Sequence, residues 1–249
     1  MSGHSHFATI KRAKEANDSA RGKVFSKHSK AIAIAIKSGG NADPEMNSKL
    51  RFSIEQAKAD NMPKANIDRI LERANEVKNI EEVIYEGFGP DGINVMILAA
   101  TDNKNRTSQE IKNMLEKGGG NMAGPGAVAF NFDQLGQVVV KKIDSGEEQT
   151  LQIIDVPGVV DVEDVGDELE VYTSPQKVAE VKDALVALTF DVGSFALMMK
   201  PKSTVSIATP EKAKKIMAFI DNLDEHDDVQ DVFTNVDIPD DVASQMDAE

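Results

Sequence analysis

Three times after residue 80 the chain repeats one phrase, a β-rich run followed by a polar cap and an amphipathic helix; before residue 80 the phrase does not occur. A chain so divided must fold as a helical unit followed by layers in which sheets cover one face of their helices. In the first phrase, Val83-Ile84-Tyr85 and the run Ile93 to Leu98 are separated by the turn cluster Gly87-Phe88-Gly89-Pro90-Asp91-Gly92. Asp102 to Arg106 makes a polar turn. Thr107-Ser108-Gln109-Glu110 then offers caps for a helix with Ile111, Met114 and Leu115 inward, ended by Gly118-Gly119-Gly120. Ala127 to Phe132 and Gln137 to Lys141 alternate as strands do. In the second phrase, Leu169 to Tyr172 leads to Ser174-Pro175, a cap with an N1 proline, and to a helix with Val178, Val181, Leu185 and Leu188 on one side. In the third, Thr204 to Ala208 leads to Thr209-Pro210-Glu211 and a helix lined by Ala213, Ile216, Met217, Ile220 and Leu223.

The first 80 residues read as helices throughout. Ala31 to Ile36 alternates like a strand, but Lys23, Lys27, Lys30 and Lys37 keep a helical period around it and Ser38-Gly39-Gly40 supplies a C-cap, so the spacing predicts a helix over 23–37. A second helix is expected from Met46 to Asp60, with Leu50, Ile54 and Ala57 inward. A third opens at Pro63 and runs to Ala74, with Ile67, Ile70 and Leu71 buried. The fold class is α+β in three domains: a basic, all-helical domain over 1–80, a discontinuous α/β domain of 81–135 plus 202–240, and an inserted α/β domain over 136–201. The boundary falls near Gly136 and the return near Pro201. The Asp-rich stretch from Asp221 onward ends in an acidic tail over 241–249 with a frayed appearance.

Charge is segregated along the chain. Up to Gly40 there are eight Lys and Arg against Glu15 and Asp18, a net of +6 in a chain of net −14, so the rest sums to −20. A cationic arm on an acidic body suits a polyanion, because contact with phosphates releases counterions and needs no base sequence. The residues expected to contact phosphate are Lys11, Arg12, Lys14, Arg21, Lys23, Lys27 and Lys30, with the arginines adding fork-shaped donors. The same lysines would also make an ordinary solvated helix face. Lys104 and Arg106, just ahead of a helix N-terminus, could hold a phosphate where free N–H groups point, or belong to a structural turn in which Asp102, Asn103 and Asn105 bond to backbone. Phe7 and Phe25 read either as wedges beside a base or as packing. No recognition-helix code is visible.

Other chemistries find little support. The chain has no cysteine, which removes disulfides, thiolate nucleophiles and cysteine metal sites. His4, His6 and His28 have no patterned partners for zinc, and His226 lies in an acidic run without a paired nucleophile. The three glycines at 118–120 lack the Lys-Ser or Lys-Thr that closes a phosphate-binding Walker loop. Neither a signal-peptide core nor a run of roughly 18 apolar residues is present. The expectation is a non-enzymatic, cytoplasmic protein without a cofactor or a membrane partner, and a monomer.

Several segments together resemble the YebC/PmpR family, which includes the mitochondrial translational activator of cytochrome c oxidase. They are Gly3-His4-Ser5, Ile10-Lys11, Arg21-Gly22-Lys23 with Phe25 and Lys27, Asn61-Met62-Pro63-Lys64 with Asn66-Ile67, Tyr85 to Pro90, and Thr101 to Thr107. The usual Lys-Trp-Ala-Asn of the family's opening stands here as His6-Phe7-Ala8-Thr9, with one basic group weakened and a smaller aromatic. The resemblance implies a helical N-terminal domain and two small α/β sandwich-like domains around a cleft, the third inserted into the second. It also implies a role in gene expression: a probable DNA-binding transcriptional regulator, or a translation factor meeting rRNA or tRNA on the ribosome, including at stalled proline-rich sequences. A protein-interaction scaffold remains the third reading. In either of the first two, Lys104 and Arg106 would add a second contact across the cleft.

Overall fold

The computed structural model describes residues 18–73 and 80–246. Its first helix, α1 (Asp18–Gly39), contains the alternating Ala31–Ile36 run. Ile32, Ala35 and Ile36 pack with Leu50, Ile54 and Ala57 of α2 (Ser48–Ala59) and with Ile67 of α3 (Lys64–Glu72). Ala33 and Ile34 are buried as well, outside that cluster, and α1 also lies against two strands of the first sheet. A helix apolar on all sides is a helix enclosed on all sides, which is why strand-like alternation is compatible with it. One side chain organises the bend that follows. Asn47 Oδ1 caps α2 by accepting the Leu50 N–H at 3.1 Å, and its Nδ2 donates to Ala35 O at 2.8 Å and Asn41 O at 2.9 Å. Gly39 leaves the room this requires, since a Cβ there would overlap the Asn47 amide.

The first sheet has the antiparallel order β3 (Asn121–Ala123), β1 (Glu81–Phe88), β2 (Asn94–Thr101), β9 (Val229–Thr234). Its helices α4 (Lys104–Lys117) and α7 (Pro210–Asp224) bury Ile111, Leu115, Ile216, Ile220 and Leu223 against Val95, Ile97 and Val232. The α4 cap is Asn103 rather than the Thr107-Ser108 pair: Asn103 Oδ1 accepts the Arg106 N–H at 3.1 Å, so the helix begins one turn earlier than expected. Thr209 caps α7 as anticipated, with Pro210 in its first turn. Thr204–Ala208 supplies only β8 (Val205–Ser206), paired in parallel with β10 (Val236–Asp237).

The second sheet has the order β5 (Val159–Asp164), β6 (Glu168–Thr173), β4 (Phe132–Lys141), β7 (Val192–Pro201), with α5 (Glu147–Ile154) and α6 (Val178–Ala187) in the connections. The succession β-α-β-β-α-β with antiparallel neighbours is the split βαβ arrangement. Val138, Val140, Leu169 and Val171 form its core with Ile153, Val181 and Leu185.

Four further segments differ from the sequence reading, the first being Ser174-Pro175, which opens a turn ahead of α6 rather than capping it, since Lys177 holds the N-cap position without a side-chain bond. Of the expected strand Ala127–Phe132 only Phe132 is strand, as the first residue of β4; Ala127–Asn131 is a loop with a short 3-10 turn at Ala129–Asn131, held because Glu86 accepts the N–H groups of Gly126, Val128 and Ala129 at 2.6, 2.8 and 2.9 Å. Gly136 lies inside β4 rather than at a boundary. It is a close-packing glycine, since a Cβ would overlap Thr173 and Val178. The Asp-rich C-terminal stretch is ordered through Met246: Val229 and Val232 are core residues of β9, and Val242 and Ala243 of α8 (Asp240–Met246) are buried. Exposed acids hide this periodic apolar content when the segment is read by composition.

The two crossings between the sheets are zipped by Asn131. Its Oδ1 accepts the Ser203 N–H at 3.1 Å and the Ser203 Oγ–H at 2.7 Å, and its Nδ2 donates to Ser203 O at 3.0 Å. Asn235 Nδ2 also donates to Ser203 O, at 3.1 Å, and its Oδ1 accepts the Asn94 N–H at 2.7 Å. Removing a buried partner from such a network costs about 1–3 kcal/mol. Asn131→Ala is therefore expected to lose that much stability in urea unfolding and to admit limited proteolysis near Lys202-Ser203, whereas an unchanged midpoint would show the crossings to be held by other contacts.

Candidate nucleic-acid interface

α1 places Lys23, Lys27 and Lys30 on one face, as the spacing of four and three requires. That face meets the turn after α7. Lys23 Nζ donates to Glu225 O at 3.4 Å, Lys27 Nζ to Asp224 Oδ1 at 3.1 Å, and Lys30 Nζ to Asp227 O at 2.7 Å and Asp228 Oδ1 at 2.8 Å. Lys37 continues the seam, donating to Ile80 O at 3.2 Å and lying 3.8 Å from Glu81. Arg21 is exposed on the same helix. Lys11, Arg12 and Lys14, together with Phe7, His4 and His6, lie outside the described residues. Phe25 packs against the helical core.

Asp228 is the hub. Its carboxylate, 9% exposed, receives Lys30 from α1 and, on Oδ2, Arg106 Nη2 at 2.7 Å and the Thr107 Oγ–H at 2.7 Å from α4. Its backbone carbonyl accepts the Ala100 N–H of β2 at 2.7 Å. Burial pushes the Asp228 carboxyl up, but hydrogen bonds from Lys30, Thr107 and Arg106 more than reverse that and hold it well below the usual carboxylate range. His226 braces the turn. Its Nδ1 accepts the Asp228 N–H at 3.1 Å, which leaves Nε2–H to donate to Glu110 Oε2 at 3.0 Å. The structure thus brings together two expected site residues, Lys30 and Arg106, around one internal carboxylate. Arg106 also donates to Asp102 at 3.1 Å.

Lys104 points elsewhere, pairing with Glu81 at 2.5 Å. The hydrogen bond from Lys104 holds the Glu81 carboxyl below its ordinary range, and the reciprocal bond raises Lys104. A cleft of about 970 Å³ opens beside the hub, and five acids line it against Lys30, Arg106 and Lys117. The Lys104–Glu81 pair is solvent-exposed and screened, so a phosphate can displace it at small cost. The Asp228 cluster is better enclosed and holds more firmly.

Sequence reasoning passed over a second set of cations. Arg51 and Lys58 are exposed seven residues apart on α2, and Lys64, Arg69 and Arg73 are exposed on and just after α3. Two of the nearby acids are already used, Glu55 accepting from Lys182 Nζ at 2.8 Å and Asp60 meeting His28 Nε2 at 2.6 Å, while Asp68 and Glu72 stay exposed on α3. The signal was hidden because residues 41–79 carry seven acids and seven cations, a net of zero. Only the fold reveals which of them neutralise each other. Phe130, 71% exposed beside the Glu86-anchored loop, was also passed over.

Fold and seam together define an α+β protein in which a cationic helical domain is clamped to an acidic sheet domain. Two family models match, "TACO1/YebC protein N-terminal domain" over residues 5–77 and "TACO1/YebC second and third domain" over residues 80–236. A probable transcriptional regulatory protein of Syntrophomonas wolfei is 42% identical over 99% of this chain and 100% of its own length. Another, of Moorella thermoacetica, is 43% identical over the same shares. The crystal structure of a conserved hypothetical protein from Aquifex aeolicus superposes with a TM-score of 0.80 at 40% identity, covering 90% of this chain and 93% of that one. The chain belongs to the TACO1/YebC family. Its relatives carry regulatory names, and none of the described helices is long and apolar enough to cross a membrane.

A carboxyl whose folded pKa is depressed contributes stability that is complete above its unfolded value, about 3.9, and is lost as pH falls toward the folded value. Asp228→Asn is expected to be about 2–3 kcal/mol less stable than the parent protein at pH 7. The gap should narrow when urea unfolding is repeated near pH 3, below the unfolded-state value, where the carboxyl is protonated in the unfolded chain and still ionised in the folded one. A gap that stays constant with pH would remove the charge from the account.

Proposed function

We propose that this protein is a non-enzymatic, cytoplasmic regulator of gene expression that binds DNA through phosphate contacts of its helical domain. The observation that carries the reading is the set of exposed cations on α2 and α3, Arg51, Lys58, Lys64, Arg69 and Arg73, in a domain whose neighbouring Glu55 and Asp60 are already paired. They extend the set Lys11, Arg12, Lys14, Arg21, Lys23, Lys27 and Lys30, with Lys104 and Arg106 on the sheet domain; of these, Lys30 and Arg106 also hold Asp228 and Lys104 pairs with Glu81. Contacts of this kind position a protein on a nucleic acid without reading sequence. The regulatory names of the relatives support the class.

A second reading is binding to rRNA or tRNA on the ribosome. Asp68 and Glu72 are among the exposed residues of α3, and base edges in a DNA major groove are read chiefly by Arg, Lys, Asn and Gln. Carboxylates on that face repel phosphates but can accept from ribose 2′-hydroxyls, which RNA offers and DNA does not.

The test is binding of a labelled DNA duplex, a structured rRNA fragment and intact ribosomes across a salt series. Arg51→Gln, Lys58→Gln, Arg69→Gln and Arg73→Gln combined should weaken binding and flatten the log–log salt slope by roughly 0.9 per lost contact on duplex DNA. These side chains hold no described partner, so the variant should melt like the parent. Ribosome cosedimentation with weak, unselective duplex binding would select the second reading. Unaltered binding by the variant would overturn the assignment of the contacts to α2 and α3, and no binding by the parent protein would overturn the proposal in favour of a protein-interaction scaffold.

A further inference from the structure

The same turn that clamps α1 is built as an anion. It follows the C-terminus of α7, where carbonyl oxygens carry partial negative charge. Its chain, Asp224-Glu225-His226-Asp227-Asp228, has an acid at every position but one. What it offers to α1 is a row of oxygens: a carboxylate to Lys27, a carbonyl to Lys23, and a carbonyl and a carboxylate to Lys30. These three lysines span about 10 Å of helix axis. A nucleic-acid backbone would present the same chemistry, acceptor oxygens with negative charge in a row, to the same ammonium groups.

Resting on the phosphate-binding function proposed above, we infer that the Asp224–Asp227 segment is a built-in competitor that occupies Lys23 and Lys27 in the free protein and must be displaced when a polyanion engages α1. The division of labour follows from enclosure. Lys27 and Asp224 retain 24% and 27% exposure, so their pair is open to exchange, whereas Asp228 at 9% also serves α4 and stays in place. Partners that present few phosphates lose the competition. Partners that lay several phosphates along α1 while also reaching the α2 and α3 cations win it. The segment thus screens against weak, incidental nucleic-acid contact.

The experiment uses the full chain with Asp224→Asn, Glu225→Gln and Asp227→Asn combined, leaving Asp228 intact. The control is Glu147→Gln, Glu148→Gln and Asp155→Asn, which changes net charge equally on and beside α5 in the inserted domain. Affinity for a 20-base-pair DNA duplex and for an RNA hairpin is measured at one salt concentration. The turn variant is expected to bind on the order of 10-fold more tightly than the parent, and the control less than about 2-fold. Equal gains in both would reduce the effect to net charge and overturn the inference, as would a turn variant that binds like the parent. If the turn variant melts early, Asp224→Asn alone is expected to give a smaller gain in the same direction, and its absence counts equally against the inference. The function itself is tested separately. A parent that binds, with binding weakened by the α2–α3 substitutions but untouched by the turn substitutions, sinks only the competitor; a parent that binds neither probe sinks both.

Discussion

The Asp228 carboxylate is the point at which the helical domain, the first sheet and the start of α4 meet. It stands just before β9 and its carbonyl accepts the Ala100 N–H of β2, so it is fixed by the first sheet. It takes Arg106 and Thr107 from α4, so it fixes the start of that helix. It takes Lys30 from α1, so the helical domain is registered against both. An enclosed carboxylate is tolerable only when several donors surround it, and two cations and a hydroxyl do so here. His226 and Glu110 extend the network to the middle of α4. Remove the carboxylate and two cations face each other beside an acid-lined cleft with nothing between them.

From that clamp the charge asymmetry of the chain takes on a physical meaning. A +6 segment and a −20 remainder attract one another before either attracts anything else. Part of the cationic arm is therefore neutralised within the molecule, on the side turned to the sheet domain. The helical domain keeps its other cations toward solvent on α2 and α3. Internal pairing orients the domain, and the uncompensated remainder gives it an outward sign. The inserted domain is joined separately, through the Asn131–Ser203 zipper and the packing of Phe52 on Phe195 at 5.4 Å.

Much of this was legible in the sequence where local signals and burial agree. The α+β class, the three N-terminal helices, the β1–β2 hairpin and the Thr209-Pro210 start of α7 all carry caps, turn residues and apolar periods that point the same way. Legibility failed where the deciding partner is distant. Glu86 turns Ala127–Asn131 from a strand-like run into a loop by accepting three N–H groups across forty residues. Gly136 looked like punctuation but exists to admit Thr173 and Val178. Val229–Thr234 was obscured by flanking aspartates, though β9 closes the first sheet. At the candidate interface the lysine period on α1 was readable. That acids some 200 residues away would face those lysines was not, and neither was the unneutralised set on α2 and α3.

The central claim is that the lysine face of α1 and the turn after α7 are in direct contact in solution and that polyanions compete for that contact. Zero-length carbodiimide coupling joins a lysine to a carboxylate only when they touch, so mass spectrometry of the coupled, digested protein reads the seam directly. The account predicts amide links between Lys27 and Asp224 and between Lys30 and Asp228 in the free protein, with the Lys27 link suppressed when a DNA duplex or RNA hairpin is added to saturation. No link in the free protein, or a Lys27 link whose yield is unchanged by saturating nucleic acid, would contradict it.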